Sequence, residues 1–150
     1  VIREDLNKWF ELDCDSPYML FVDDIKKNKR KKITGEEKSL FGIDKLNTKR
    51  SDIPAVTHVD HSARIQTVHK KTNPIYHALI SKFKEKTNCG VLVNTSFNVR
   101  GEPIVCSPRD AFQCFMGTGI DFLVIGNCLL TKKEQNQTLI KSYKEKYELD

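Results

Sequence analysis

The run Val91-Leu92-Val93-Asn94-Thr95-Ser96-Phe97-Asn98-Val99-Arg100-Gly101-Glu102-Pro103-Ile104-Val105 constrains this chain more than any other stretch. An apolar segment of strand character stops abruptly at polar residues, passes a glycine and a proline, and resumes as a second apolar segment. The pattern reads as a buried strand whose end has become a binding loop. Open α/β sheets place ligands beyond such strand ends, where backbone N–H groups and short side chains converge. Asn94, Thr95, Ser96 and Asn98 supply amides and hydroxyls suited to phosphate or carbonyl oxygens, and Gly101 allows backbone conformations closed to other residues. Arg100, and Arg64 from elsewhere in the chain, can add bidentate contacts to the same anion if the fold brings them together. A structural reading stands beside this one, in which Asn94 and Asn98 cap backbone groups of a tight turn and Arg100 pairs with Glu102. The loop has neither the Gly-Lys-Ser/Thr of a Walker A sequence nor a Gly-x-Gly-x-x-Gly fingerprint.

The flanking sequence alternates strand and helix signals. Leu6, Trp9 and Phe10 have helical spacing within 3–11, and 17–25 reads as a central strand because both its faces are apolar until Asp23. Residues 34–52 give no convincing period and read as a variable excursion. Ile53–Asp60 and Ser62–Val68 read as two strands that pair with one another. Helices are expected over 74–87, with Asn73 as N-cap, Pro74 in first position and an apolar stripe of Ile75, Leu79, Ile80 and Phe83, and from Pro108, with Ser107 and Asp110 as a capping box. Strands at 120–126 and 128–131 flank Gly126-Asn127, and 134–150 reads as a C-terminal helix. The sum is an α/β or α+β mixed sheet covered by helices.

A chain of 150 residues is near the commonest size for one domain. No apolar segment approaches the roughly 18 residues that cross a bilayer, so a membrane partner is not expected. The five cysteines are odd in number and never form Cys-x-x-Cys. They read as buried or half-buried free thiols, Cys106 included, in a reducing, cytoplasmic setting. Much of the formal charge of +5 lies in 26–32. Such a run attracts nucleic acid in some proteins and is a solvated turn in more of them. His58 and His61 converge with Asp60 only if the chain turns there, so no metal site is assigned, and His69 and His77 are expected at the surface.

Three blocks together, 53–68 with Ala63-Arg64-Ile65-Gln66-Thr67-Val68, the Asn-Thr-Ser-Phe-Asn-Val-Arg-Gly-Glu-Pro run at 94–103, and Ile120–Gly126, resemble the C-terminal domain of NodU/CmcH-type O-carbamoyltransferases. The resemblance runs from about Val1 to Thr131, sparing 34–52. It implies a YrdC-like fold, a twisted open mixed sheet flanked by helices, following an N-terminal kinase-like domain. It also implies an ATP-dependent enzyme part in which carbamoyl phosphate and ATP with Mg2+ give carbamoyl adenylate and pyrophosphate. The N-terminal domain, which holds a metal ion, then passes the carbamoyl group to a hydroxyl. By matching position, Ser96 and Asn98 contact the ATP phosphates or the adenylate and Arg64 binds carbamoyl phosphate or the α-phosphate, with Asn94, Thr95, Arg100, Thr57 and His58 as neighbours.

Two departures stand out. The family has glycine where this chain has His61, and Val1 falls just after the family's basic leading segment, so an incomplete active site is expected of these residues alone. The readings set against catalysis are an RNA-binding module and a non-catalytic docking module completed by the N-terminal domain.

Overall fold

A computed structural model describes residues 1–136 and 138. The helix expected over 134–150 lies almost wholly outside these residues. The chain divides into two compact units, Val1–Val93 and Asn94–Asp150, each described by itself.

In the first unit a 3-10 turn, Arg3–Asp5, leads into α1, Leu6–Trp9. The spacing of Leu6, Trp9 and Phe10 buries them together with Ile25, Ile53, Ala63 and Ile65. Each such side chain contributes about 1.5–3 kcal/mol on burial. Asp5 lies inside this wall at 1% exposure. Its carboxylate is held by Lys8 Nζ and Lys84 Nζ, both at 2.6 Å. Burial pushes the Asp5 pKa up and the two ammonium groups outweigh that, leaving it below the usual carboxylate value. Gly90 packs against the same carboxylate, where a Cβ would come within 2.8 Å of Oδ2.

Strand β1, Phe21–Asp24, pairs antiparallel with β2, Ser62–Ile65, setting Val22 opposite Arg64 and Asp24 opposite Ser62. Two expectations are corrected. β1 is not central: the sheet has two strands, and Phe21 and Val22 are 50% and 56% exposed. Residues 53–60 are not β2's partner but a 3-10 turn, Pro54–Val56, followed by a tight turn. Side chains explain this, since Ser51 Oγ accepts from Ile53 N (2.9 Å) and Thr57 Oγ1 donates to Ile53 O (2.7 Å), taking backbone groups that a ladder needs.

The excursion forms α2, Gly35–Ser39, capped by Thr34 and Glu37, and α3, Gly42–Leu46, before Arg50 and Ser51 return to the interior. Helix α4, Pro74–Thr87, begins as expected, with Asn73 accepting from Tyr76 N, and stops at left-handed Asn88. Its expected stripe divides. Ile80 is buried against Ile2 and Val68, while Ile75, Leu79 and Phe83 are exposed.

In the second unit residues 94–105 join no ladder among the described residues, so the strands expected on either side of the loop are extended chain instead. Helix α5, Pro108–Gly117, carries the expected Ser107/Asp110 capping box. β3, Phe122–Ile125, and β4, Cys128–Thr131, form an antiparallel hairpin. Ala111, Phe115, Met116 and Leu123 make its core. The class is mixed helix and strand, as the sequence indicates, with no sheet closure; an isolated bridge between Ile2 and Val68 is parallel. Among the described residues no helix is long and apolar enough to cross a membrane.

Candidate functional site

The first unit gathers Arg64, Thr57 and His58 around β2. Side chains alternate along a strand, so Ser62, Arg64 and Gln66 share a face. Arg64 is exposed and, among the described residues, its guanidinium has no hydrogen bond or ion pair. At the head of this face His58 Nδ1 lies 2.8 Å from Ser62 Oγ, which donates to Asp60 Oδ1 at 2.7 Å. Ser62 N donates to the same oxygen at 3.0 Å. The bonds from Ser62 hold the Asp60 carboxyl below its ordinary pKa. The turn closes through His58 N to Ser62 O and His61 N to His58 O, with His61 at φ +68, the left-handed conformation that favours the glycine of the family pattern. Thr57 Oγ1 is spent on Ile53 O and Ser51 Oγ. At the far end of the face Gln66 joins Tyr18, His69, Lys71 and Tyr76 around an open cleft of about 490 Å3.

The second unit holds the loop. Asn98 Nδ2 donates to Glu102 O at 2.8 Å and Val99 O at 3.3 Å, while Glu102 accepts from Val99 N at 3.1 Å. Glu102 N to Val99 O and Gly101 at φ +76 complete the turn. The donors of Asn98 therefore tie the loop. Asn94 and Arg100 also have partners. Thr95 and Ser96 are exposed and, among the described residues, their hydroxyls are free. Hydroxyls and a guanidinium with unspent donors fit the oxygens of a nucleotide or an acyl phosphate.

Other candidates resolve into structure. In the basic run Lys26 pairs with Glu11, Lys29 and Lys31 with Asp52, and Arg30 with Asp24, and Lys29 also covers Trp9. Of the five free cysteines only Cys114 is buried; Cys89 is half-buried, and Cys14, Cys106 and Cys128 are exposed, correcting the expectation of covered thiols. Cys106 is outside because it precedes the N-cap of α5. His77 is mostly covered rather than at the surface, its side chain 12% exposed beside Glu4. Among the described residues no three His, Cys, Asp or Glu side chains gather to hold a metal ion. Ser62 was not singled out from the sequence, and Asp60 only as a companion of His58 and His61; the Asp-x-Ser spacing that lets a carboxylate bond the backbone two residues on was the available signal.

The exposed strand-borne arginine of the first unit and, separately, the free hydroxyls of the second unit's loop are donors of the kind that phosphate oxygens accept. More particularly, residues 1–132 match the family described as Carbamoyltransferase C-terminus, and the chain belongs to it. An uncharacterized protein of Synechocystis sp. is 55% identical over all of this chain and 25% of its own length. The nodulation protein NolO of Bradyrhizobium diazoefficiens is 37% identical over 88% of the chain and 21% of its own. The 3'-hydroxymethylcephem-O-carbamoyltransferase of Amycolatopsis lactamdurans is 34% identical over 87% of the chain and 21% of its own. The chain thus spans a quarter or less of the length of these relatives.

Proposed function

We propose that the chain binds and orients carbamoyl phosphate and Mg-ATP for formation of carbamoyl adenylate, as one part of a cytoplasmic O-carbamoyltransferase. The observation that carries this reading is Arg64, an outward guanidinium without a carboxylate partner among the described residues, facing Val22 across the strand pair. Such a group is available for bidentate phosphate contact. Thr95 and Ser96 would donate to nucleotide phosphates, and Asn98 would position Ser96 by holding the turn. In balance, water cleaves carbamoyl phosphate to carbamate and inorganic phosphate, and the carbamate oxygen attacks the α-phosphorus of ATP with pyrophosphate as the leaving group. These residues act by positioning and charge stabilisation, which suits chemistry without a protein nucleophile. The name of the Amycolatopsis relative supports an oxygen acceptor. The acceptor and the metal ion of the transfer step are assigned to an N-terminal kinase-like domain of the same polypeptide.

Calorimetry tests this. Carbamoyl phosphate should bind, and Arg64→Ala should weaken it by roughly tenfold to a hundredfold, as expected for losing a charge-assisted hydrogen bond. Undiminished binding would remove Arg64 from the site.

A docking module is the second reading, favoured by Ile75, Leu79 and Phe83, which expose a ridge at four-residue spacing on α4 with 84%, 57% and 37% of each residue open. Adding the N-terminal domain in trans separates the two: restored carbamoyl transfer favours catalysis, and association without activity favours docking. The ion-paired basic run argues against RNA, and a flat gel-shift titration at low salt would dispose of that option.

A further inference from the structure

Within that reading, which this inference deepens, we propose that His58 recognises the carbamoyl NH2 group through a bare Nε2 acceptor, and that Ser62 and Asp60 fix the ring in the tautomer that leaves Nε2 bare. His58 is thereby a specificity-determining residue, selecting carbamoyl phosphate over acyl phosphates that lack an N–H donor.

The argument is one of proton counting. Ser62 has a single hydroxyl proton and gives it to Asp60 Oδ1 at 2.7 Å. Asp60 can only accept, because the bonds from Ser62 favour its ionised form. The contact of 2.8 Å between Ser62 Oγ and His58 Nδ1 must then run the other way, with Nδ1–H as donor. A neutral imidazole carries one N–H, so Nε2 has none. This is the reverse of the tautomer a free histidine side chain prefers, and the ring keeps it only while Ser62 Oγ is an acceptor.

Position gives the bare nitrogen its use. His58 is exposed, and the turn that carries it is closed by His58 N to Ser62 O at 2.8 Å and by left-handed His61. Ser62 and Arg64 point to the same side of β2. The ring therefore lies on the side of β2 that carries a guanidinium suited to a phosphate. Asp24, opposite Ser62, is engaged by Arg30 at 2.8 Å, and Asp60 is engaged by Ser62. Carbamoyl phosphate differs from acetyl phosphate chiefly in having NH2 in place of CH3. An acceptor beside the phosphate site is satisfied by the first and left unpaired by the second, and that asymmetry is how polar sites discriminate.

Two measurements test this. Nitrogen-15 NMR of the labelled chain, at a pH where the ring is neutral, should find Nδ1 protonated and Nε2 bare, and Ser62→Ala should reverse this. Calorimetry should find carbamoyl phosphate preferred over acetyl phosphate by about tenfold, the worth of one hydrogen bond. His58→Ala should abolish the preference, whereas Arg64→Ala should weaken both ligands and keep it. A protonated Nε2 in the unaltered chain, or a preference that survives His58→Ala, overturns the role of His58 and leaves the carbamoyl phosphate reading standing. Failure of the unaltered chain to bind either phosphate overturns that reading, and the ligand proposed for His58 with it.

Discussion

The first unit displays its candidate residues around a strand where His58, Ser62 and Asp60 bond to one another, whereas the second displays them on a loop tied through Asn98 and Glu102. His58, Ser62 and Asp60 form a chain of contacts on the Arg64 side of β2, and β2 is backed by the core of Leu6, Trp9 and Ile65. Thr95 and Ser96 instead ride on a turn tied by Asn98 and Glu102, with no ladder on either side among the described residues. The difference is one of preorganisation. A ligand meeting the β2 face finds the His58 ring already oriented by Ser62, while a ligand on the loop must order the free Thr95 and Ser96 hydroxyls at a cost in binding energy.

The comparison breaks first if the backing of β2 is not what holds it. Asp5→Ala, next to buried Leu6, should lower stability by about 2 kcal/mol in chemical denaturation, since it removes two charge-assisted hydrogen bonds while the exposed Lys8 and Lys84 return to water. A loss below about 1 kcal/mol, the level of an ordinary surface change, would mean that the ion pair does not secure this wall.

A smaller effect is expected from pH. Against the opposing effect of burial, Lys8 and Lys84 hold the Asp5 carboxyl below its ordinary value, so the stability it contributes is full above the ordinary carboxylate range and is lost as pH falls through it toward the lowered value. Asp5→Asn should reduce that acid slope in thermal melts, and an unchanged slope would assign it to other carboxyls.

Smallest is the loop itself. Asn98→Ala removes two donors and should cost about 1 kcal/mol. Amide exchange should accelerate at Val99 and Glu102 and stay unchanged in β2. Acceleration in both regions would erase the distinction between a self-contained loop and an independently braced strand.

Legibility in the sequence followed the locality of each signal. Helices α4 and α5 and the β3–β4 hairpin were readable because caps, a first-turn proline and Gly126-Asn127 act within a few residues. The partner of β2 was not, because the hydroxyls of Ser51 and Thr57 turn an apparently strand-forming 53–60 into a 3-10 turn. An apolar run does not disclose which face is covered, so β1 read as central although Val22 lies open. Of the candidate residues, Arg64 and Ser96 were legible as types with spare donors. That Asn98 bonds backbone groups of its own turn was one of the two readings open in the sequence, whereas the spending of Thr57 on Ile53 and Ser51 is a fact of three-dimensional bonding. The role of Ser62 depended on a turn through left-handed His61, which the family comparison marked only as a missing glycine.

The β3–β4 hairpin has a practical side. It is a two-stranded sheet with outward Phe122, Val124 and Leu129 at 61%, 67% and 66% exposure. Backbone edges next to uncovered apolar side chains are templates for pairing between molecules. If the hairpin acts as such a template, Val124→Lys should lower self-association seen by sedimentation at high concentration, and an unchanged profile would clear the hairpin.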